Sequence, residues 1–155
     1  MKQKIFQLLL VLLCFNIYGN VHAQTTATDT SAITQVIRTF FKGMQLADTS
    51  IIKSTLSNDV IFQTVATTPK GNVVKAEQLS TFFKSIAQTT PNSLDEQLDS
   101  IVIHTDGKLA SVWTPYHFYY QQKLLHCGNN SFQLINTADG WRIQYIIDTR
   151  YKCPR

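Results

Sequence analysis

The chain has 155 residues, a formal net charge of +4 and only 15% charged residues. That length fits one domain, and the small, scattered positive charge excludes a protein built to grip nucleic acid or an anionic lipid surface. With charge well under the usual quarter of residues, Ser, Thr, Asn and Gln must cover the surface, a composition expected of an exported protein.

The N-terminal stretch MKQKIFQLLLVLLCFNIYGNVHA carries Lys2 and Lys4, an apolar run from Ile5 to Leu13, and a closing Val21-His22-Ala23. This predicts a signal peptide, residues 1–23, cleaved after Ala23, and so a periplasmic or extracellular location. The run is shorter than the roughly 20 residues that cross a bilayer, and no later segment exceeds it, so no membrane span is expected. Leu13 stands before Cys14 where lipoprotein processing wants a small side chain, so Cys14 is expected to leave with the signal. Removing 23 of 155 residues leaves 132, and losing Lys2 and Lys4 takes the charge from +4 to +2. A chain of that size can bury a core without metals or disulfides.

Residues 24–30, QTTATDT, are polar and aperiodic and read as a flexible leader, leaving 31–155 as a single domain. Ile33, Val36, Ile37, Phe40, Phe41 and Met44 then recur at helical spacing, predicting an amphipathic helix that Asp29 or Thr30 caps. Asp48 is placed to cap a short second helix carrying Ile51, Ile52 and Leu56. DVIFQTVA reads as a strand with Val60, Phe62 and Thr64 on one face and Ile61, Gln63 and Val65 on the other. Pro69, Gly71 and Asn72 break the chain, and Leu79, Phe82, Phe83 and Ile86 predict a third helix ending before Pro91.

Beyond Pro91 the pattern is antiparallel sheet, with strands over Leu94 to His104, Lys108 to Tyr120, Lys123 to Asn136 and Trp141 to Thr149. Asp106-Gly107 and Asp139-Gly140 are hairpin signals, whereas the junction at Gln121-Gln122 has none. Helices first and a long meander after them make an α+β order, in which the helices must cover the sheet's apolar face.

Alternation on the last strand puts Trp141, Ile143, Tyr145 and Ile147 on the apolar face, with Asp148 turned away unless a bulge intervenes. A tight hairpin sets Tyr145 opposite Phe132 and Arg150 roughly opposite Cys127. Counting back by twos gives Leu134, Phe132, Asn130, Gly128 and His126 a shared inner face and turns Cys127 outward. Cys127 and Cys153 survive signal cleavage, and both a disulfide and two free thiols stay open; a bridge must bring Cys153 out of the ladder and back.

The order of helix, short helix, NDVIF, helix and four long strands, including LASVWTPYHFYY, HCGNNSFQL and GWRIQYIIDTR, resembles the nuclear transport factor 2-like superfamily over about Ser31 to Arg150. Within it, the lumazine-binding-like branch of small exported bacterial proteins is the nearest match. The resemblance implies a cone: three N-terminal helices packed in a curved, mostly antiparallel sheet, with an apolar pocket at one end and homodimerisation through the outer face. It implies little about chemistry, because relatives include isomerases, dehydratases, polyketide cyclases and non-catalytic binders.

His126, predicted inward, is the first candidate for a polar group in the pocket, since imidazole titrates near neutrality. A histidine satisfied by a neighbouring carbonyl or tyrosine is the plainer reading. Trp113, Tyr116, Phe132 and Tyr145 join His126 as candidate ligand contacts, although aromatics serve core and dimer packing equally well. Asp148 reads as a rim ion pair with Arg150, or as a general base if a bulge turns it inward. His104, His117 and His126 lie on separate strands with no short ligand spacing, so no metal is expected, and no cofactor motif is present. Cys127 is a poor nucleophile because it faces outward and can pair. The first helix, SAITQVIRTFFKGMQLA, lacks the tyrosine that the ketosteroid isomerase pattern places there.

These residues lead to an exported protein that binds a small apolar or aromatic molecule. A lyase, isomerase or cyclase with His126 or Asp148 as base and Tyr145 or Tyr116 as donor stands beside it. A dimeric interaction module with a filled core is the third reading.

Overall fold

The computed structural model describes residues 27–154. The predicted signal peptide, its cleavage site and Cys14 lie outside them. Ala27–Gln45 forms α1, so the helix starts inside the segment read as leader. Asp29 sits in its first turn, where a carboxylate suits the helix dipole. Its Oδ1 also accepts from the Trp141 indole at 3.3 Å, tying the start of the helix to the sheet. Ile33, Ile37 and Phe40 are buried, with Val36, Phe41 and Met44 packed around them, as the helical spacing predicts.

Asp48 caps α2 (Thr49–Lys53), accepting from the amides of Ser50 at 2.8 Å and Ile51 at 3.2 Å. A Cβ on Gly43 would stand 2.7 Å from Ile52 Cγ1 and 2.9 Å from its nitrogen, so this glycine lets α1 and α2 touch. β1 (Leu56–Thr68) turns through Pro69 and Lys70 into β2 (Gly71–Glu77), a strand where the sequence reads only as a break. All of β2 is exposed, so it has no buried face for alternation to reveal. The third helix, α3, spans Leu79–Ala87.

The strand expected over Leu94 to His104 is two, β3 (Leu94–Leu98) and β4 (Val102–Thr105), both pairing with β5 (Leu109–Tyr120). Leu98 pairs with Tyr116 and Val102 with Trp113, so the chain swells by a residue opposite Pro115, which has no N–H to offer a ladder. There the Asp99 amide donates to the Pro115 carbonyl at 2.9 Å. Gln121 and Gln122 have φ of 49° and 65° and link β5 to β6 (Lys123–Thr137). β7 (Gly140–Tyr151) is the last strand in the chain and lies inside the sheet, whose order is β2-β1-β7-β6-β5-β3, with β4 also on β5. Only β1 and β7 run parallel among these pairs.

A bulge in β7 overturns the expected parity. Leu134 pairs with Ile143 but Gln133 with Tyr145, leaving Gln144 as the extra residue. Trp141 and Ile143 are buried, then Ile146 and Asp148, whereas Tyr145 and Ile147 move to the other face. Phe132 accordingly faces Ile146 rather than Tyr145, and Cys127 faces Tyr151 rather than Arg150. On β6 the inner set holds: Leu134, Phe132, Asn130 and Gly128 are buried. Cys127 and Cys153 form a disulfide with Cα atoms 5.0 Å apart, pinning the chain beyond β7 to the neighbouring strand.

Candidate functional site

The helices do not fill the cone. A cavity of about 260 Å³ lies between them and the sheet. Its apolar lining is Phe40, Phe41 and Met44 from α1, Phe62 from β1, Phe82 from α3, and Phe132 and Ile146 from β6 and β7. The phenyl rings brace one another, Phe40 stacking on Phe82 at 6.4 Å and meeting Phe62 edge-on at 6.0 Å. Such edge and stacked contacts fix the rings and leave a shaped void beside them.

The polar lining comprises Glu96 on β3, Asn130 on β6, Asp148 and Arg150 on β7, and Gln63, Thr64, Glu77 and Ser85 from β1, β2 and α3. Asn130 Nδ2 donates to Glu96 Oε1 at 2.7 Å and approaches Thr114 Oγ1 at 3.4 Å. Arg150 Nε donates to Asp148 Oδ2 at 2.8 Å. The buried Tyr116 hydroxyl lies 3.4 Å from the same carboxylate oxygen and 3.2 Å from the Thr149 carbonyl, and its single proton serves one or the other. Asp148 reaches this cluster because of the β7 bulge, so the ion pair with Arg150 belongs to the cavity wall.

Desolvation sets the electrostatics. Burial pushes the Glu96 carboxyl up to about 7; the Asn130 hydrogen bond works against that rise and the Asp148 charge adds to it. Tyr116 is raised for the same reason, burial first and then the negative charges of Glu96 and Asp148. Arg150 loses hydration too, but the bond and charge of Asp148 more than offset it and keep the guanidinium charged. The wall therefore offers a carboxyl that takes or gives a proton near neutrality, beside a fixed ion pair.

Of the residues singled out from sequence, Phe132 and Asp148 line the cavity. Tyr116 stands behind Asp148 as a hydrogen-bond donor. His126 shares the inner face but is stacked on Phe118 at 4.9 Å and edge-on to Tyr116 at 5.7 Å, outside the cavity lining. Burial and the Arg150 charge hold its pKa below the usual histidine range. Trp113 is 48% exposed, away from the void. Tyr145, displaced by the bulge, donates to Gln63 Oε1 at 2.6 Å. No cluster of three or more metal-ligating side chains occurs among the described residues, and none of their helices is long and apolar enough to cross a membrane.

Glu96 goes unassigned in the sequence analysis, which gives Asn130 only an inner face and Arg150 only an ion pair with Asp148. Leu94, Glu96 and Leu98 alternate along β3, and an acid alone on an apolar face is the signal that marks Glu96. Gly128 carries another signal. A Cβ there would overlap the Tyr116 phenol and the Thr149 carbonyl, so the glycine lets Tyr116 cross the strand to Asp148.

No family model and no curated protein matches the chain. Solved structures do. An NTF2-like protein of unknown function from Shewanella baltica OS155 superposes with a TM-score of 0.62 at 17% identity, over 84% of this chain and 99% of that one. An NTF2-like protein with a cystatin-like fold from Novosphingobium aromaticivorans gives 0.65 at 12% identity, over 82% and 84%. A Streptomyces avermitilis protein of the NTF2-like family, provisionally named a dehydratase, gives 0.64 at 16% identity, over 81% and 98%. These likenesses do not single out the lumazine-binding-like branch. Helices packed in a curved seven-stranded sheet, together with these superpositions, give the chain the nuclear transport factor 2-like, cystatin-like fold.

Proposed function

We propose that the protein is an exported binder of a small molecule with an aromatic or alicyclic body and a polar end. The observation that carries this reading is the mixed lining of the cavity, five phenylalanines together with the hydrogen-bonded pairs Glu96–Asn130 and Asp148–Arg150. Ligand sites of this size are mostly apolar, with a few placed polar groups that fix orientation. Export is supported by the N-terminal pattern and by the Cys127–Cys153 disulfide, which suits an oxidising compartment. A second copy is expected on the outer sheet face, where Val102 and Trp113, paired across β4 and β5, are both about half exposed.

Native mass spectrometry of the protein purified from its own compartment tests the binding role. We expect a bound small molecule that is released on denaturation. Ser85→Trp, at the exposed mouth of the cavity, should block its return without unfolding the protein. An empty wild-type protein that no aromatic probe stabilises overturns the reading.

One observation favours an enzyme as the second reading: Glu96 has the proton affinity of a general base and faces the cavity. It takes the role assigned from sequence to His126 or Asp148, with Tyr116 supporting Asp148. The reaction class would be proton transfer at a carbon acid, as in a lyase, isomerase or cyclase. Glu96→Gln should then abolish turnover and keep binding; full turnover in that variant removes Glu96 from the role.

A further inference from the structure

A second cavity of about 360 Å³ opens between α1 and β3, lined by Arg38, Phe41, Lys42, Gln45 and the strand from Asp95 to Leu98. Phe41 and Glu96 line both cavities, so these two side chains form the boundary that the voids share. Arg38 and Lys42 lie four residues apart on one exposed face of α1, where like charges repel. Among the described residues the only ion pairs are His117–Asp99 and Arg150–Asp148, so neither cation is neutralised. Lys42 Nζ donates only to Gln45 Oε1 at 2.9 Å, and Arg38 has no hydrogen-bond partner there. On the facing strand Asp95 accepts from Gln97 at 2.7 Å and Glu96 from Asn130, and among the described residues neither acid forms an ion pair with Arg38 or Lys42.

We infer that the molecule held in the aromatic cavity is an amphipathic anion, its apolar body among the phenylalanines and its acidic end in the neighbouring groove on Arg38 and Lys42. The inference rests on the binding role proposed above. A planar guanidinium with free donors matches a carboxylate, sulfonate or phosphate, and the lysine adds a second charge within the same turn of helix. Phe41 lies between them on α1, where it packs against an apolar body passing from one void to the other.

Two dyes that differ by one anionic group test it. 1-Anilinonaphthalene-8-sulfonate carries a sulfonate, and N-phenyl-1-naphthylamine has the same rings without it. Fluorescence titration of the mature protein should show the sulfonate binding about tenfold tighter or more. The double variant Arg38→Gln, Lys42→Gln should remove that advantage and leave the neutral dye's affinity unchanged. Ser85→Trp should exclude both. Equal affinities in the wild type, or a sulfonate affinity indifferent to the double variant, overturn the anion site and leave the cavity reading standing. Failure of both dyes to bind overturns both.

Discussion

Glu96 gives the most quantitative test of the site. Its carboxyl rises from an ordinary 4.5 to about 7 because folding removes it from water, and a difference of that size corresponds to about 3 kcal/mol of folding free energy. The sign follows from proton counting. Between these two values the folded chain holds a proton on Glu96 that the unfolded chain has lost, so stability falls as pH rises. The penalty is absent below pH 4.5 and complete above about 7. Glu96→Gln removes the titration and keeps an acceptor for Asn130 Nδ2. His126, whose pKa is lowered, contributes the opposite slope, and it does so in both proteins, so the difference between wild type and variant isolates Glu96. Urea unfolding from pH 4.5 to 8.5 should show the variant gaining on the wild type by about 3 kcal/mol, most of it between pH 5 and 7. A constant difference across that range, or a variant that loses ground as pH rises, would refute a desolvated Glu96.

Gly128→Ala drives a methyl group into the Tyr116 phenol and the Thr149 carbonyl, and should cost about 1–3 kcal/mol or more in chemical denaturation; an unchanged midpoint would show that Tyr116 does not cross the strand here. Cys153→Ser opens a bridge spanning 26 residues and should lower stability by about 3 kcal/mol, with no such loss when the wild type is compared under full reduction. Sedimentation should find the mature chain dimeric and Trp113→Glu monomeric, since a charge on an apolar contact is costly to bury. A monomeric wild type ends the expectation of a second copy on that face.

Much of the fold was legible in local pattern. The helix stripe from Ile33 to Met44, the cap at Asp48, the third helix and the hairpins at Gly107 and Gly140 all follow from spacing and turn chemistry, because each is decided within a few residues. β2 was not legible, since a fully exposed arm carries no period. The split between β3 and β4 was not either, because it answers to Pro115 on another strand.

The site shows the same division more sharply. Residue identity supplied its ingredients: a phenylalanine-rich chain, a lone acid between Leu94 and Leu98, a glycine within a strand and the cysteines Cys127 and Cys153. One extra residue at Gln144 then decided which of them meet, turning Asp148 into the cavity and Tyr145 out of it. A strand's side chains alternate with period two, so a single inserted residue reverses every face beyond it. Its location depends on how β6 and β7 twist around the helices, which no window of sequence contains. Composition and spacing determined the elements and the compartment expected of them. Tertiary structure decided the cavity, the company Glu96 keeps, and therefore its proton affinity, because desolvation is a property of everything packed around a group.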